Sequence, residues 1–416
     1  MSIADLRRNL FWLAGALGTA LLVAFTVVLW RGDVPWWLVD FDVYRFGADT
    51  VLNGGDLYLA VTPETLLSFT YPPIAAVLFT PATLASVGTA GFVWLVIESL
   101  FLVGAIWLTL EAVGVRQATH RAALTVPIAL LAPLLAPVDY EFTFGQLNMM
   151  LMYLVLLDLL KGNGRRWHGI PIGIAAGIKL IPLIYVVYLA CTGRLRAAVT
   201  ATAAFAGTIA LGFVLLPADS ASFWFGSVTS MNRPGIPQGP LNQGLRGVFA
   251  RMLGTDAAIN PAWLATAAVV GLLGLAAASA LHRKGFPVRG VAVCALTAQL
   301  VSPVSWIPHW VWVVPVLILL GALAWRHRSV WWLAVAAVVA AVFGLRLIFW
   351  FLPMEAFYVV SSPANLAMSG WHQLLAASYA ILTIVLVAIL AGPVLRRRDT
   401  RQDTPPAPAE RAVPTG

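Results

Sequence analysis

The sequence predicts an all-α polytopic membrane protein, and three observations predict it. Of its 416 residues 60% are apolar. Only 11% are charged, where soluble domains carry about 25%, and the mean hydropathy is +0.85. The apolar residues also fall in runs of roughly 17 to 25, the length a helix needs to cross the hydrocarbon core. A soluble enzyme, a nucleic-acid-binding module and a disordered chain are excluded by these numbers. The net charge of +8 does not restore a nucleic-acid partner, because Lys and Arg sit in small groups between apolar runs and not on one folded face.

Arg7 and Arg8 precede the first run, residues 10–30, which is too long for a signal-peptide core and reads as an uncleaved first span. Further spans are expected over residues 90–113, 122–138, 143–160, 195–216, 262–281, 288–302, 310–325, 330–352 and 372–395. Residues 72–87 hold Pro72, Pro73 and Pro81, and residues 169–190 are broken near Lys179 and Pro182. Proline removes a backbone donor and ends a preceding helix, so each of these stretches reads as a short or re-entrant helix. That gives about 10–12 membrane helices. One catalytic unit over residues 1–395 and a disordered cytoplasmic tail over 396–416, with Pro405, Pro406 and Pro408, are expected. Cys191 and Cys294 lie far apart and support no disulfide framework.

Cytoplasmic loops are enriched in Lys and Arg. Arg7/Arg8, Arg116/Arg121, Lys161/Arg165/Arg166, Arg194/Arg196, Arg283/Lys284/Arg289, Arg326/Arg328 and the tail from Arg396 fall on one side if residues 169–190 enter and return. That places both termini in the cytoplasm of a plasma-membrane protein. The outer side then holds the polar segments: residues 31–71, 138–142, 217–261, 302–309 and 353–370. Transporters gather their key residues at mid-membrane, so polar chemistry collected on one face points to an enzyme whose site opens there.

Several constellations on that face carry chemistry. Val39-Asp40-Phe41-Asp42-Val43-Tyr44 offers two carboxylates, either of which is a general base if its surroundings hold its pKa near the working pH; a solvated acidic loop has the same composition. The pair is similar to the metal-binding Asp-x-Asp of soluble nucleotide-sugar transferases, but no Gly-rich phosphate loop accompanies it, and no metal is assigned. Phe69-Thr70-Tyr71-Pro72-Pro73 leads into the proline-rich stretch. In Phe144-Gly145-Gln146-Leu147-Asn148, Gln146 and Asn148 suit either sugar hydroxyls or helix bridging. Lys179, in Gly177-Ile178-Lys179-Leu180-Ile181-Pro182, is an ionisable group among apolar neighbours, which is expensive and marks function. A cation at a broken helix suits a phosphate. Asn232-Arg233-Pro234 and Asn242-Gln243-Gly244-Leu245-Arg246-Gly247 combine amides with guanidinium forks that fit phosphate oxygens. Trp306 and His309 stand in an aromatic corner, Ser302-Pro303-Val304-Ser305-Trp306-Ile307-Pro308-His309-Trp310. Arg346 is a lone charge in an apolar span, with Glu98 as its expected partner.

In this order along the chain, the six motifs around Asp40, Tyr71, Gln146, Lys179, Asn242 and His309 resemble the actinobacterial α-(1→2)-mannosyltransferases that use polyprenyl-phosphate mannose, members of the GT-C superfamily of integral membrane glycosyltransferases. The resemblance covers nearly the whole chain between its termini. It implies an extracytoplasmic site, a lipid-linked donor, inversion at the anomeric carbon and an acceptor among the mannolipids or lipoglycans of the envelope. It also selects Asp40 as the base, a choice that spacing alone leaves open, since the equivalent of Asp42 need not be acidic; whether Asp42 assists is left open. The family's aromatic corner has two consecutive His before Trp, whereas here Pro308 stands in place of the first.

The expected chemistry follows from combining these readings. Asp40 takes the acceptor proton; Lys179, Arg246 and His309 stabilise the departing phosphate; Tyr71, Gln146, Asn148, Asn242, Gln243 and Trp306 shape the sugar and acceptor pockets. No soluble cofactor is required. The rival readings are a flippase for the same lipid-linked sugar, a non-catalytic subunit of an envelope-assembly complex, and a transferase that uses another polyprenyl-phosphate sugar such as arabinose.

Overall fold

The computed structural model describes residues 38–227, 239–253, 261–352 and 370–396, with isolated positions before residue 38. The expected first span, the expected tail and most of residues 353–370 lie outside the described residues, as do Asn232 and Arg233. Every regular element among the described residues is helical, and the β pairing is limited to two isolated bridges, Val61 with Ser68 and Asn242 with Trp306.

Each expected span within the described residues coincides with a helix or a bent pair. Val87–Ala112, Leu195–Leu215, Pro261–Arg283 and Ile307–His327 are each long and apolar enough to cross a membrane. Ala118–Leu134 with Ala136–Phe144, bent by 80°, and Gly370–Ala376 with Ser378–Gly392, bent by 61°, raise the number to six if each pair is one span. The remaining apolar helices, among them Asn148–Lys161, Pro287–Val301 and Val330–Gly344, have 14 or 15 residues. Turn chemistry explains the shortening. Gly145, at φ 66°, ends Ala136–Phe144 and delays the next helix to Asn148. Arg346, at φ 53°, breaks the run 330–352. The expected outer turn at 138–142 is the helix Ala136–Phe144, bent by 80° from the one before it.

Residues 169–190 form a hairpin of Ile170–Ile178 and Leu183–Cys191, with Lys179 extended at its tip. Gly169, Gly173 and Gly177 recur every fourth residue and press this first leg against Leu195–Leu215. A Cβ on any of them would collide with Ala197, Ala201 or Thr208. Small residues at this spacing let helix backbones approach in a membrane, where apolar burial alone does not drive helices together.

The two ends of the helices differ in character. At one end Glu111 accepts from Arg121 at 3.0 Å and from Lys161, Arg326 donates to the Val113 carbonyl and Arg283 to the Cys191 carbonyl. The basic loops are therefore neighbours, as the threading with a re-entrant 169–190 requires. At the other end lie Asp40, Tyr71, Gln146, Lys179 and Trp306.

Candidate active site

Asp40 is the second residue of the helix Val39–Leu52, which starts at Leu38 in the left-handed region with its N–H bonded to the Thr143 carbonyl at 2.7 Å. Trp94 of the helix Val87–Ala112 donates to the Gly145 carbonyl at 2.9 Å, and Leu38 and Phe41 pack around Gly145. This anchoring sets Asp40 beside Gln146.

A cavity of about 450 Å³ opens there, and its wall includes Asp40, Tyr71, Gln146, Lys179, Arg246, Trp306 and His309. Seven of the eleven residues singled out in the sequence thus meet at one void, from segments up to 269 positions apart. Leu180, Ile184, Phe223 and Val301 supply apolar wall.

The polar side of the cavity is one network. Lys179 Nζ lies 2.9 Å from Asn148 Oδ1, 3.4 Å from Gln146 Oε1 and 3.1 Å from His309 Nε2, and 5.4 Å above the centre of the Tyr71 ring. The Tyr44 hydroxyl lies 3.0 Å from that of Tyr71 and 3.3 Å from Gln146 Oε1. Gln146 hydrogen-bonds Asp40, and the second Asp40 oxygen is sealed from solvent without a hydrogen-bond partner. Burial pushes the Asp40 carboxyl up to about 6, against the opposing pull of the Gln146 hydrogen bond and the Lys179 charge. Burial also raises the Tyr44 and Tyr71 phenols, which stay protonated donors.

The remaining four sequence-predicted residues are placed elsewhere. Asp42 is half-buried outside the cavity wall; burial raises its carboxyl, Glu64 adds to that and Arg45 opposes it. Asn148 stands behind Lys179, in a small adjoining void of about 20 Å³. Its Nδ2 donates to Glu141 Oε2 at 2.8 Å while Oδ1 accepts from Lys179. The bridging role open to Asn148 is the one it takes.

Asn242 and Gln243 are struts and not cavity wall, which corrects their expected sugar-binding place. Gln243 Nε2 donates to the Pro240 and Ala376 carbonyls at 2.6 and 2.9 Å, and its Oε1 accepts from the Tyr379 N–H. Asn242 Oδ1 accepts from the Ser305 N–H at 3.1 Å. With its amide hydrogen bonds spent on protein, Gln243 has little left for a sugar. Asn242 ties the segment that carries Arg246 to the aromatic corner that carries Trp306, and Gln243 ties it to the bend at Ala376 and Tyr379.

Arg346 pairs with Asp139 at 3.0 Å and not with Glu98, a second correction. Glu98 is buried on Val87–Ala112, beside Glu141. Sequence reasoning missed Glu141 and Tyr44 as supports of Lys179 and Gln146: Tyr44 meets Gln146 from 102 positions away, and Glu141 folds back across the turn at Gly145 to accept from the Met149 N–H at 3.1 Å and Asn148 Nδ2. Among the described residues, no cluster of three His, Cys, Asp or Glu is placed to hold a metal ion.

The arrangement gathers one buried carboxylate and two cations, Lys179 and Arg246, in the wall of one void with an apolar side. Chemically, that fits proton abstraction by the carboxylate and stabilisation of a developing anion by the cations.

A family model described as Glycosyltransferase family 87 matches residues 69–303. The chain is similar to a polyprenol-phosphate-mannose-dependent alpha-(1-2)-phosphatidylinositol mannoside mannosyltransferase of Mycobacterium tuberculosis, 32% identical over 397 residues that cover 91% of this chain and 90% of the relative. The protein of the same description from Mycolicibacterium smegmatis is 32% identical over 414 residues, 92% and 91% of the two chains. A polyprenol-phosphate-mannose-dependent alpha-(1-2)-phosphatidylinositol pentamannoside mannosyltransferase of Mycobacterium tuberculosis is 35% identical over 286 residues, 67% of this chain and 65% of that one.

Proposed function

The chain belongs to glycosyltransferase family 87, and we propose that it transfers mannose from polyprenyl-phosphate mannose to a hydroxyl of a mannolipid or lipoglycan acceptor, with inversion, to give an α-(1→2) linkage. The donor and the phosphatidylinositol mannoside acceptor class are those in the descriptions of its relatives. The observation that carries the reading is the shared cavity of Asp40, Lys179, Arg246 and His309.

In this mechanism the acceptor oxygen attacks the anomeric carbon from the face opposite the phosphate and gives its proton to Asp40. The bond from that carbon to the phosphate oxygen breaks. Polyprenyl phosphate leaves as an anion, which needs countercharge and no proton. Lys179 and Arg246 supply the countercharge, His309 orients the Lys179 ammonium, and Tyr71, Gln146 and Trp306 bound the sugar. Asp42 assists by its charge from outside the wall. The polyprenyl chain leaves along the apolar side.

The reading includes residues 1–395 as one catalytic membrane unit with 396–416 as a cytoplasmic tail, both termini inside and the cavity extracytoplasmic. The basic loops gathered at the end away from the cavity support that orientation. Cysteine labelling at positions 53 and 119 tests it: position 53 labels from outside, and labelling of 119 from outside reverses it.

Mannose transfer by purified protein from radiolabelled polyprenyl-phosphate mannose to a panel of mannolipids tests the activity. Loss in Asp40→Asn with donor binding retained supports the transferase. Donor moved across proteoliposomes with transfer to no acceptor would make the protein a flippase.

A further inference from the structure

A second and larger cavity, about 1610 Å³, lies between Val87–Ala112, Ala118–Leu131, Val313–His327 and Val330–Gly344. It shares no lining residue with the reaction cavity, and its polar end is distant from it. On Val87–Ala112, Trp94 holds Gly145 beside the reaction cavity, whereas Leu110 lines the second one; sixteen residues of helix separate them by about 24 Å. Likewise Trp312 borders the void behind Lys179, and Trp325 lines the second cavity about 20 Å farther on. The charged mouth of the second cavity is therefore at the opposite face of the bilayer, and the cavity runs from there along the helices to Leu135 and Val314.

Its shape is a slot with a charged mouth. Val314, Leu317, Ile318 and Gly321 wall it on one side and Leu124, Ile128 and Leu131 on the other, while Arg116, His120, Arg326 and Arg328 stand at one end. Among the described residues, no carboxylate lines it. The nearby Glu111 is engaged by Arg121 and Lys161, and among the described residues no ion pair involves Arg116, Arg326 or Arg328. Arg326 spends one N–H on the Val113 carbonyl at 3.1 Å, which fixes its guanidinium and leaves further donors directed elsewhere. Leu131 is 60% exposed and Leu134, also in the wall, 55%, so the slot opens sideways to lipid.

We propose that this slot binds an anionic phospholipid of the leaflet opposite the reaction cavity. Arg116, Arg326 and Arg328 hold the phosphate, and one acyl chain lies between Ala118–Leu131 and Val313–His327. The charge complementarity is that of basic pockets between membrane helices, which retain acidic headgroups, and guanidinium forks match phosphate oxygens. The site is separate from the donor cavity and does not depend on which sugar is transferred there.

Native mass spectrometry of the full-length protein with phosphatidylglycerol and phosphatidylcholine of identical chains tests the proposal. Wild type is expected to prefer phosphatidylglycerol by about tenfold or more, and Arg116→Gln/Arg326→Gln/Arg328→Gln to lose that preference. Gly321→Leu fills the chain slot on an open helix face and is expected to weaken retention of both lipids. Glycosyl transfer in detergent, unchanged in both variants, reports that they fold. Equal retention of the two lipids by wild type, or an undiminished preference in the triple variant, overturns the site. So does disulfide trapping of Gly321→Cys by a cysteine introduced in residues 1–37, 353–369 or 397–416, which would make this chain the occupant.

Discussion

Lys179 and Asn148 meet at 2.9 Å, and that contact joins the tip of a membrane hairpin to the first residue of the helix Asn148–Lys161. Behind it Glu141 accepts from Asn148 Nδ2 at 2.8 Å, so the ammonium is aimed by a buried carboxylate through an amide. Lys179→Met removes the charge and keeps most of the volume. A hydrogen bond to a charged group contributes about 1.5–3 kcal/mol, so donor kcat/KM is expected to fall by roughly 10- to 150-fold. Steady-state kinetics on wild type and variant measure this.

The Asp40 carboxyl, with its pKa raised to about 6, must be ionised to accept a proton. Transfer is therefore expected to rise with pH through about 6 and to be lost below it, in a pH profile of kcat/KM. Asp40→Asn is expected to cost about 10²- to 10⁴-fold in kcat. The sign for stability is opposite. A carboxyl whose folded pKa is raised favours the fold in its protonated form, and that contribution is lost as pH rises through about 6. At pH 7.5 the Asp40→Asn protein is expected to melt at or above the wild-type temperature.

Gln243 and Gln146 are both amides beside a glycine in the sequence and differ by role in the structure. Gln243→Ala strands the Tyr379 N–H and takes a donor from the Pro240 carbonyl, while the Ala376 carbonyl keeps Arg251; burying such groups unpaired costs about 1–3 kcal/mol each. The expected result is a lower melting temperature with an unchanged donor KM in the folded fraction. Gln146→Ala is expected to do the reverse, altering KM and shifting the pH midpoint set at Asp40. Thermal melts beside donor titrations separate the two.

Arg346 and Asp139, 36% and 24% exposed, are expected to couple by about 0.2–1 kcal/mol in a double-mutant cycle, the range for pairs open to solvent. Glu98 and Arg346 are expected to behave additively. Unfolding free energies of the three single and two double variants decide this.

Composition and apolar run length made the helices legible, because the bilayer permits no other backbone solution. Lys179 was legible for the same reason, as a charge in an expensive place. The distinction between Gln146, which faces the cavity, and Gln243, which braces a loop, was not: both are amides next to turns, and only packing of Ala376 and Tyr379 against Gln243 separates them. The choice between Asp40 and Asp42 came from family resemblance. In the fold the two are placed differently, since two residues on one helix point about 200° apart, and of the pair Asp40 lines the void, which supports the proposed choice. The Gly169, Gly173, Gly177 ladder stands in the sequence in plain view; its partner helix does not.

Both legs of the hairpin that presents Lys179 return to the face remote from the reaction. Ile170–Ile178 has nine residues, about 13 Å of helix, so the depth of the ammonium is fixed from the far side like the height of a piston on its rod. Bilayer thickness then becomes an input to the chemistry: a thinner or thicker membrane displaces the far loops relative to the near ones. In vesicles of graded acyl length, turnover is expected to pass through an optimum, and loosening the rod with Gly173→Leu is expected to flatten it.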